Sequence, residues 1–179
     1  LCLYMIPDAL RDALTQAWVH GEHFEAQYQR FSDPVVLDGL TLRSFDLSGA
    51  VFEHGFSARG ATFRGMSWLK GVQVQGTLDL TGAVFRNDLR CDGLSADTFH
   101  LSGSRAEGVI DLDDAQLGAL HLDQCICLAN VSLARAQVTG TLDLHDSDLM
   151  GGVWARDAAF GAVSASGLLI EGRSVDFER

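Results

Sequence analysis

The sequence predicts an all-β solenoid, and three observations predict it. An apolar or small residue stands at i and i+2, and the pair returns every five or six residues from Val35 to Ile170, 26 times in succession. Glycine is frequent, 19 in 179 residues with 17 of them inside the pattern, whereas proline occurs only twice. A spacing of two followed by three or four does not match a 3.6-residue turn, and helices tolerate glycine poorly. Many short strands joined by tight bends satisfy all three. One such unit cannot bury its own apolar face, so the units must stack on one another.

Residues 6 to 31 stand outside the repeat. Ile6, Leu10, Leu14 and Trp18 are spaced i, i+4 with Ala9, Ala13 and Ala17 beside them, which predicts an amphipathic helix with Pro7 in its first turn and Gly21 at its end. A second short helical piece is expected over residues 22 to 30, closing before Asp33 and Pro34 because proline disfavours helix at the residue preceding it. Residues 1–34 would then form a helical cap over the open strand edge of the first coil, and residues 35–179 the solenoid.

The repeat opens with Val35/Leu37, Leu40/Leu42, Phe45/Leu47 and Ala50/Phe52 and runs on through Leu89/Cys91, Cys125/Cys127 and Val153/Ala155 to Leu168/Ile170. Steps of five alternate with steps of six over much of the chain. The additional residue falls near Gly55, Gly76, Asn87, Gly108 or Gly140, and glycine accepts the positive φ or bulge this requires. Val175/Phe177 reads as one more pair, out of register. The final coil is expected to lack a cap, so that either the natural chain continues or a second copy packs there as a homodimer.

The formal charge of -11 and a pI near 4.7 argue against direct nucleic-acid binding, which depends on Lys and Arg neutralising phosphates. A basic protein partner is easier to accommodate. No run of about 18 uncharged apolar residues exists, which removes a membrane-spanning helix. The opening LCLYMIPDAL lacks a basic n-region and reads poorly as a signal peptide. Four cysteines without such a signal favour reduced thiols and a cytoplasmic setting.

Gly49-Ala50-Val51-Phe52, Gly60-Ala61-Thr62-Phe63, Gly82-Ala83-Val84-Phe85, Asp114-Ala115-Gln116-Leu117 and Asp157-Ala158-Ala159-Phe160 place a small residue two positions before a central Leu or Phe. Through these stretches the chain resembles the bacterial pentapeptide-repeat family over about three quarters of its length. The resemblance implies a right-handed quadrilateral β-helix with four units per coil. The 26 pairs would then give about 6.5 coils and, at a strand spacing of about 4.8 Å, a rod of roughly 31 Å. The six-residue steps and the scarcity of Asn or Asp directly before the central residue depart from the family pattern.

With a coil of 21 or 22 residues, Asp79, His100, His121 and Asp143 stack on one outer face, with Asp123, His145 and Asp146 beside them. Imidazole and carboxylate are both metal ligands, so this ladder is the one candidate metal site; solvated ladder residues are the alternative. Asp92, Asp111, Asp113, Asp114 and Asp157 form an acidic row, interrupted by Arg90, Arg135 and Arg156. The family includes DNA-mimicking proteins that occupy the DNA-binding saddle of type II topoisomerases, so the resemblance implies DNA gyrase or a related topoisomerase as a partner. Trp68 and Trp154 are expected to project outward and mark a contact face. Cys125 and Cys127 fall on inward positions and read as core. His20 and His23, with Glu22 and Glu25, read as surface residues of the N-terminal segment. No nucleophile-base pair, phosphate loop or dinucleotide fingerprint is present, and no cofactor is expected. The sequence therefore points to a non-catalytic interaction module, with a rigid scaffold element of a longer, membrane-associated protein as the alternative.

Overall fold

The inward residues of the repeat stack directly on one another, coil upon coil. The computed structural model describes residues 3–171, and all of their strand pairings are parallel, with partners 21 or 22 residues apart within the repeat, as in Val35↔Phe56 and Leu89↔Ile110. One seven-stranded sheet runs from Phe24–Glu25 to Val153–Trp154 and makes the first side. A six-stranded sheet from Thr41–Leu42 to Asp148–Leu149 makes the fourth. The second and third sides belong to one ten-stranded sheet, because Gln73–Asp79, Ser95–His100, Gln116–His121, Gln137–Asp143 and Ala159–Ser164 run extended around the corner between them. The register shifts at Val74/Thr77, Leu117/Leu120 and Val138/Thr141 absorb the six-residue steps at this corner as bulges.

The core is a filled column. From Val35 to Ala155 every inward pair position is buried except the half-buried Leu40. Side chains of the same type pile up along the axis: Phe31 lies on Phe52 and Phe63 on Phe85, each with ring centroids 4.7 Å apart, while Phe45 approaches Phe63 from the first side at 6.0 Å. Cys91, Cys125 and Cys127 are free thiols inside this column. Burial pushes all three up from the ordinary thiol value, which makes them inert core residues. The corners demand unusual backbone. Gly60 turns one of them at φ +63°, whereas later coils hold Gln124 at +56° and Asp146 at +53° in the equivalent place. Each non-glycine residue there costs roughly 1 kcal/mol.

The N-terminal segment differs from expectation in two ways. The helix is only Pro7–Leu14, with Leu10 and Leu14 buried against the first coil and Trp18 beyond its end. The anticipated second helical piece over residues 22 to 30 is instead two strands, Phe24–Glu25 and Gln29–Phe31. Phe24 aligns with Phe45, and Phe31 with Phe52, so the inward rhythm already begins here. Ala26 and Phe31 are buried as a result. A helix would have left the edges of Phe45–Asp46 and Val51–Phe52 without partners, and pairing them outweighs local helix propensity. At the other end Phe160 and Leu168 are half-buried and Val163 is exposed. The pair Val175/Phe177 lies outside the described residues.

Candidate functional site

The parallel register fixes which outward residues become neighbours, because the middle residue of each inward pair lies directly over its counterpart in the next coil. On the third side this column reads Val36, Ser57, Asp79, His100, His121, Asp143 and Ser164. The expected ladder of Asp79, His100, His121 and Asp143 therefore exists. The His100 and His121 rings stack with centroids 4.5 Å apart and planes 19° from parallel.

The four ladder residues do not act as one group, however. Asp79 turns to Thr81, whose hydroxyl donates to it at 2.6 Å, and faces Arg59 at 3.7 Å. The residues whose ligand atoms converge are His121, Asp123 and Asp143, all within 4.8 Å of one another. Asp123 enters from the corner, two residues beyond His121, with its Oδ1 3.9 Å from His121 Nδ1. The Ser102 hydroxyl donates to that Asp123 oxygen at 2.6 Å. Asp143 Oδ1 meets His145 Nδ1 at 2.7 Å and accepts the His145 backbone N–H at 3.1 Å. Burial works to raise the Asp143 carboxyl, and the hydrogen bonds from His145 outweigh it and hold the group below its ordinary value. The same hydrogen bond raises the His145 imidazole.

The acidic row on and beside the first side is differently employed. Asp92 pairs with Lys70 at 3.0 Å, Asp111 with Arg90 at 3.4 Å, and Asp157 with Arg156 at 3.6 Å. Asp114 receives a two-pronged contact from Arg135, Nε and Nη2 both at 2.8 Å. Asp113 accepts the Ser132 hydroxyl and the Ala134 N–H of the next coil. Apart from the Asp157 pair, these contacts link a coil to its neighbour, so the carboxylates fasten the stack together. Of the two tryptophans, Trp68 is half-buried with its ring 5.3 Å from His23, whereas Trp154 remains 39% exposed.

Trp154 has company that the sequence reading did not single out. Ile126, Leu128 and Met150 are exposed at 38%, 39% and 37%. Leu128 and Met150 lie one residue beyond the aligned pair Cys127↔Leu149, and Trp154 follows across the Gly151-Gly152 corner. Ile126 is aligned with Asp148, whose Oδ1 is buried without a hydrogen-bond partner. Together these residues make an apolar ridge around the corner between the fourth and first sides, with one orphaned carboxylate oxygen in it. The Cys-Ile-Cys-Leu run at 125–128 was the available signal, since an outward position is apolar twice in succession there.

Elsewhere the surface is shallow. A groove of about 580 Å³ lies over Val36, His54, Phe56, Arg59, Gln75 and Asp79 at the N-terminal part of the third side. No helix among the described residues is long and apolar enough to cross a membrane. In comparisons with known proteins, no family model matches the chain, and no curated protein matches it. The parallel strand pairing alone gives the architecture, a repeat β-solenoid.

Proposed function

We propose that this chain is a non-catalytic protein-interaction module that engages its partner through the ridge of Ile126, Leu128, Met150 and Trp154. The observation that supports this reading is where the large apolar side chains are exposed. Between residues 37 and 125 none is exposed, and four then occur within 29 positions around one corner. Aromatic anchors on rigid surfaces carry much of the energy of protein interfaces. The partner therefore presents a complementary apolar surface.

The resemblance to pentapeptide-repeat proteins makes a basic DNA-binding enzyme, a type II topoisomerase such as DNA gyrase, the specific partner to test. Mimicry of DNA by the acidic row belongs to the same proposal, although the pairing of Asp92, Asp111, Asp114 and Asp157 with cations reduces the charge the row presents. A cytoplasmic location accompanies this reading and is supported by three free, buried cysteines. The assay is supercoiling by purified gyrase. Micromolar protein should inhibit it, with the effect weakening as salt rises and in Trp154→Ala; supercoiling that is indifferent to the protein would eliminate topoisomerase from the reading. A rigid assembly element is the second reading, and the exposure of Val163 and Leu169 in the outermost described coil favours it. End-to-end association in light scattering would support it, and a monomer at high concentration would count against it.

A further inference from the structure

We propose that His121, Asp123 and Asp143 form a binding site for a divalent transition cation of the zinc class. Two adjacent coils supply the ligands. His121 and Asp143 are aligned across the ladder, and Asp123 arrives from the corner that follows His121. Their ligand atoms lie within 4.8 Å of one another. Zinc bonds to nitrogen and oxygen of about 2.0–2.2 Å place tetrahedral ligands about 3.3 Å apart, so each atom moves inward by roughly 1 Å to close on the ion. Side-chain torsions of half-exposed residues cover that distance without moving the backbone.

The surroundings restrain each ligand, as outer-shell contacts do in working metal sites. The His121 ring is held parallel to His100. Asp123 is anchored by the Ser102 hydroxyl, and Asp143 by the ring and backbone N–H of His145 through one oxygen, which leaves its other oxygen for the ion. The side chains of His121, Asp123 and Asp143 are 30%, 16% and 20% exposed, so the site is partly shielded yet open to an ion from solvent. One imidazole with two carboxylates suits zinc and its late first-row neighbours better than calcium or magnesium, which take oxygen ligands in larger number. Three protein ligands leave a fourth position to water.

The test is calorimetric titration of Zn²⁺ into metal-free protein, with the visible absorption of bound Co²⁺ as a second readout. One ion per chain is expected, with affinity reduced at least about tenfold in His121→Ala and in Asp143→Asn. Binding should persist in His20→Ala/His23→Ala, which removes the imidazoles of the N-terminal segment. Circular dichroism checks that each variant is folded, and Asp123→Asn provides the same readout if His121→Ala is not. Absence of binding at micromolar Zn²⁺, equal binding by all variants, loss only in the His20/His23 variant, or preference for Ca²⁺ over Zn²⁺ would each overturn the proposal.

Discussion

Truncating Phe63 to alanine should damage the solenoid locally and heavily. Its ring is 1% exposed and stacks on Phe85 at 4.7 Å, with Leu42 aligned in the preceding coil and Phe45 approaching from the first side at 6.0 Å. Burying a phenylalanine and then deleting it costs about 3–5 kcal/mol in other cores, the upper part of the range applying where the surroundings cannot collapse. Here the backbone on both sides is pinned. Thr62 and Arg64 donate to Leu40 and Leu42, and Val84 and Arg86 donate to Ala61 and Phe63. Collapse is therefore hindered, and two aromatic contacts of about 0.5–1.5 kcal/mol each are lost as well, part of which the deletion cost already includes. The expected loss is about 4 kcal/mol, read from urea unfolding followed by circular dichroism. Because each coil touches only its neighbours, the damage should also be confined. Hydrogen exchange should quicken at Thr62, Arg64, Val84 and Arg86 while Gln137 and Ala159 keep their protection. A loss below about 1 kcal/mol, or protection that falls equally along the whole chain, would refute the stacked-column reasoning.

Three further outcomes are expected. Gly151→Ala should be far more damaging than Gly60→Ala, since a Cβ at Gly151 would lie 2.2 Å from the Ala129 carbonyl carbon while Gly60 has open space and only its φ of +63° to oppose the change; thermal melts of the two variants decide it. Iodoacetamide followed by peptide mapping should leave Cys91, Cys125 and Cys127 unmodified until denaturant is added, and labelling of native protein at any of them would contradict their burial. The Glu53 carboxyl is held below its ordinary value of 4.5 chiefly by the hydrogen bond from Arg30, and Asp114 below 3.8 chiefly by that from Arg135. Depressed folded-state values contribute stability above the ordinary ones and lose it as the pH falls through the folded ones, so the urea midpoint should drop between about pH 5 and about pH 3. Asp114→Asn should flatten that dependence, and a flat wild-type profile would be inconsistent with the pairing.

The inward rhythm made the fold legible because it is a local pattern: once steps of five and six are separated, the register of His121 over His100 follows by counting. The strands Phe24–Glu25 and Gln29–Phe31 were hidden because their neighbours Glu22 to Arg30 have ordinary helix propensity, and only pairing with a later coil decides against it. The metal candidate was half visible. Counting placed His121 and Asp143 together, but it could not show that Asp79 turns away to Arg59 and Thr81 while Asp123 turns in, since that depends on corner torsions. The acidic row illustrates the same limit. Spacing put Asp114 and Arg135 one coil apart, and only the side-chain geometry reveals that they neutralise each other.

The ridge as a binding surface is tested most directly by measuring the affinity of purified DNA gyrase for the immobilised protein and its variants. The wild type should bind at about micromolar concentration or more tightly, Trp154→Ala and Leu128→Ala should each weaken binding by about tenfold, and Gln75→Ala, outside both the ridge and the acidic row, should leave it unchanged. Ridge variants that bind as the wild type does would contradict the account of the ridge, and no binding at all would eliminate gyrase as its partner.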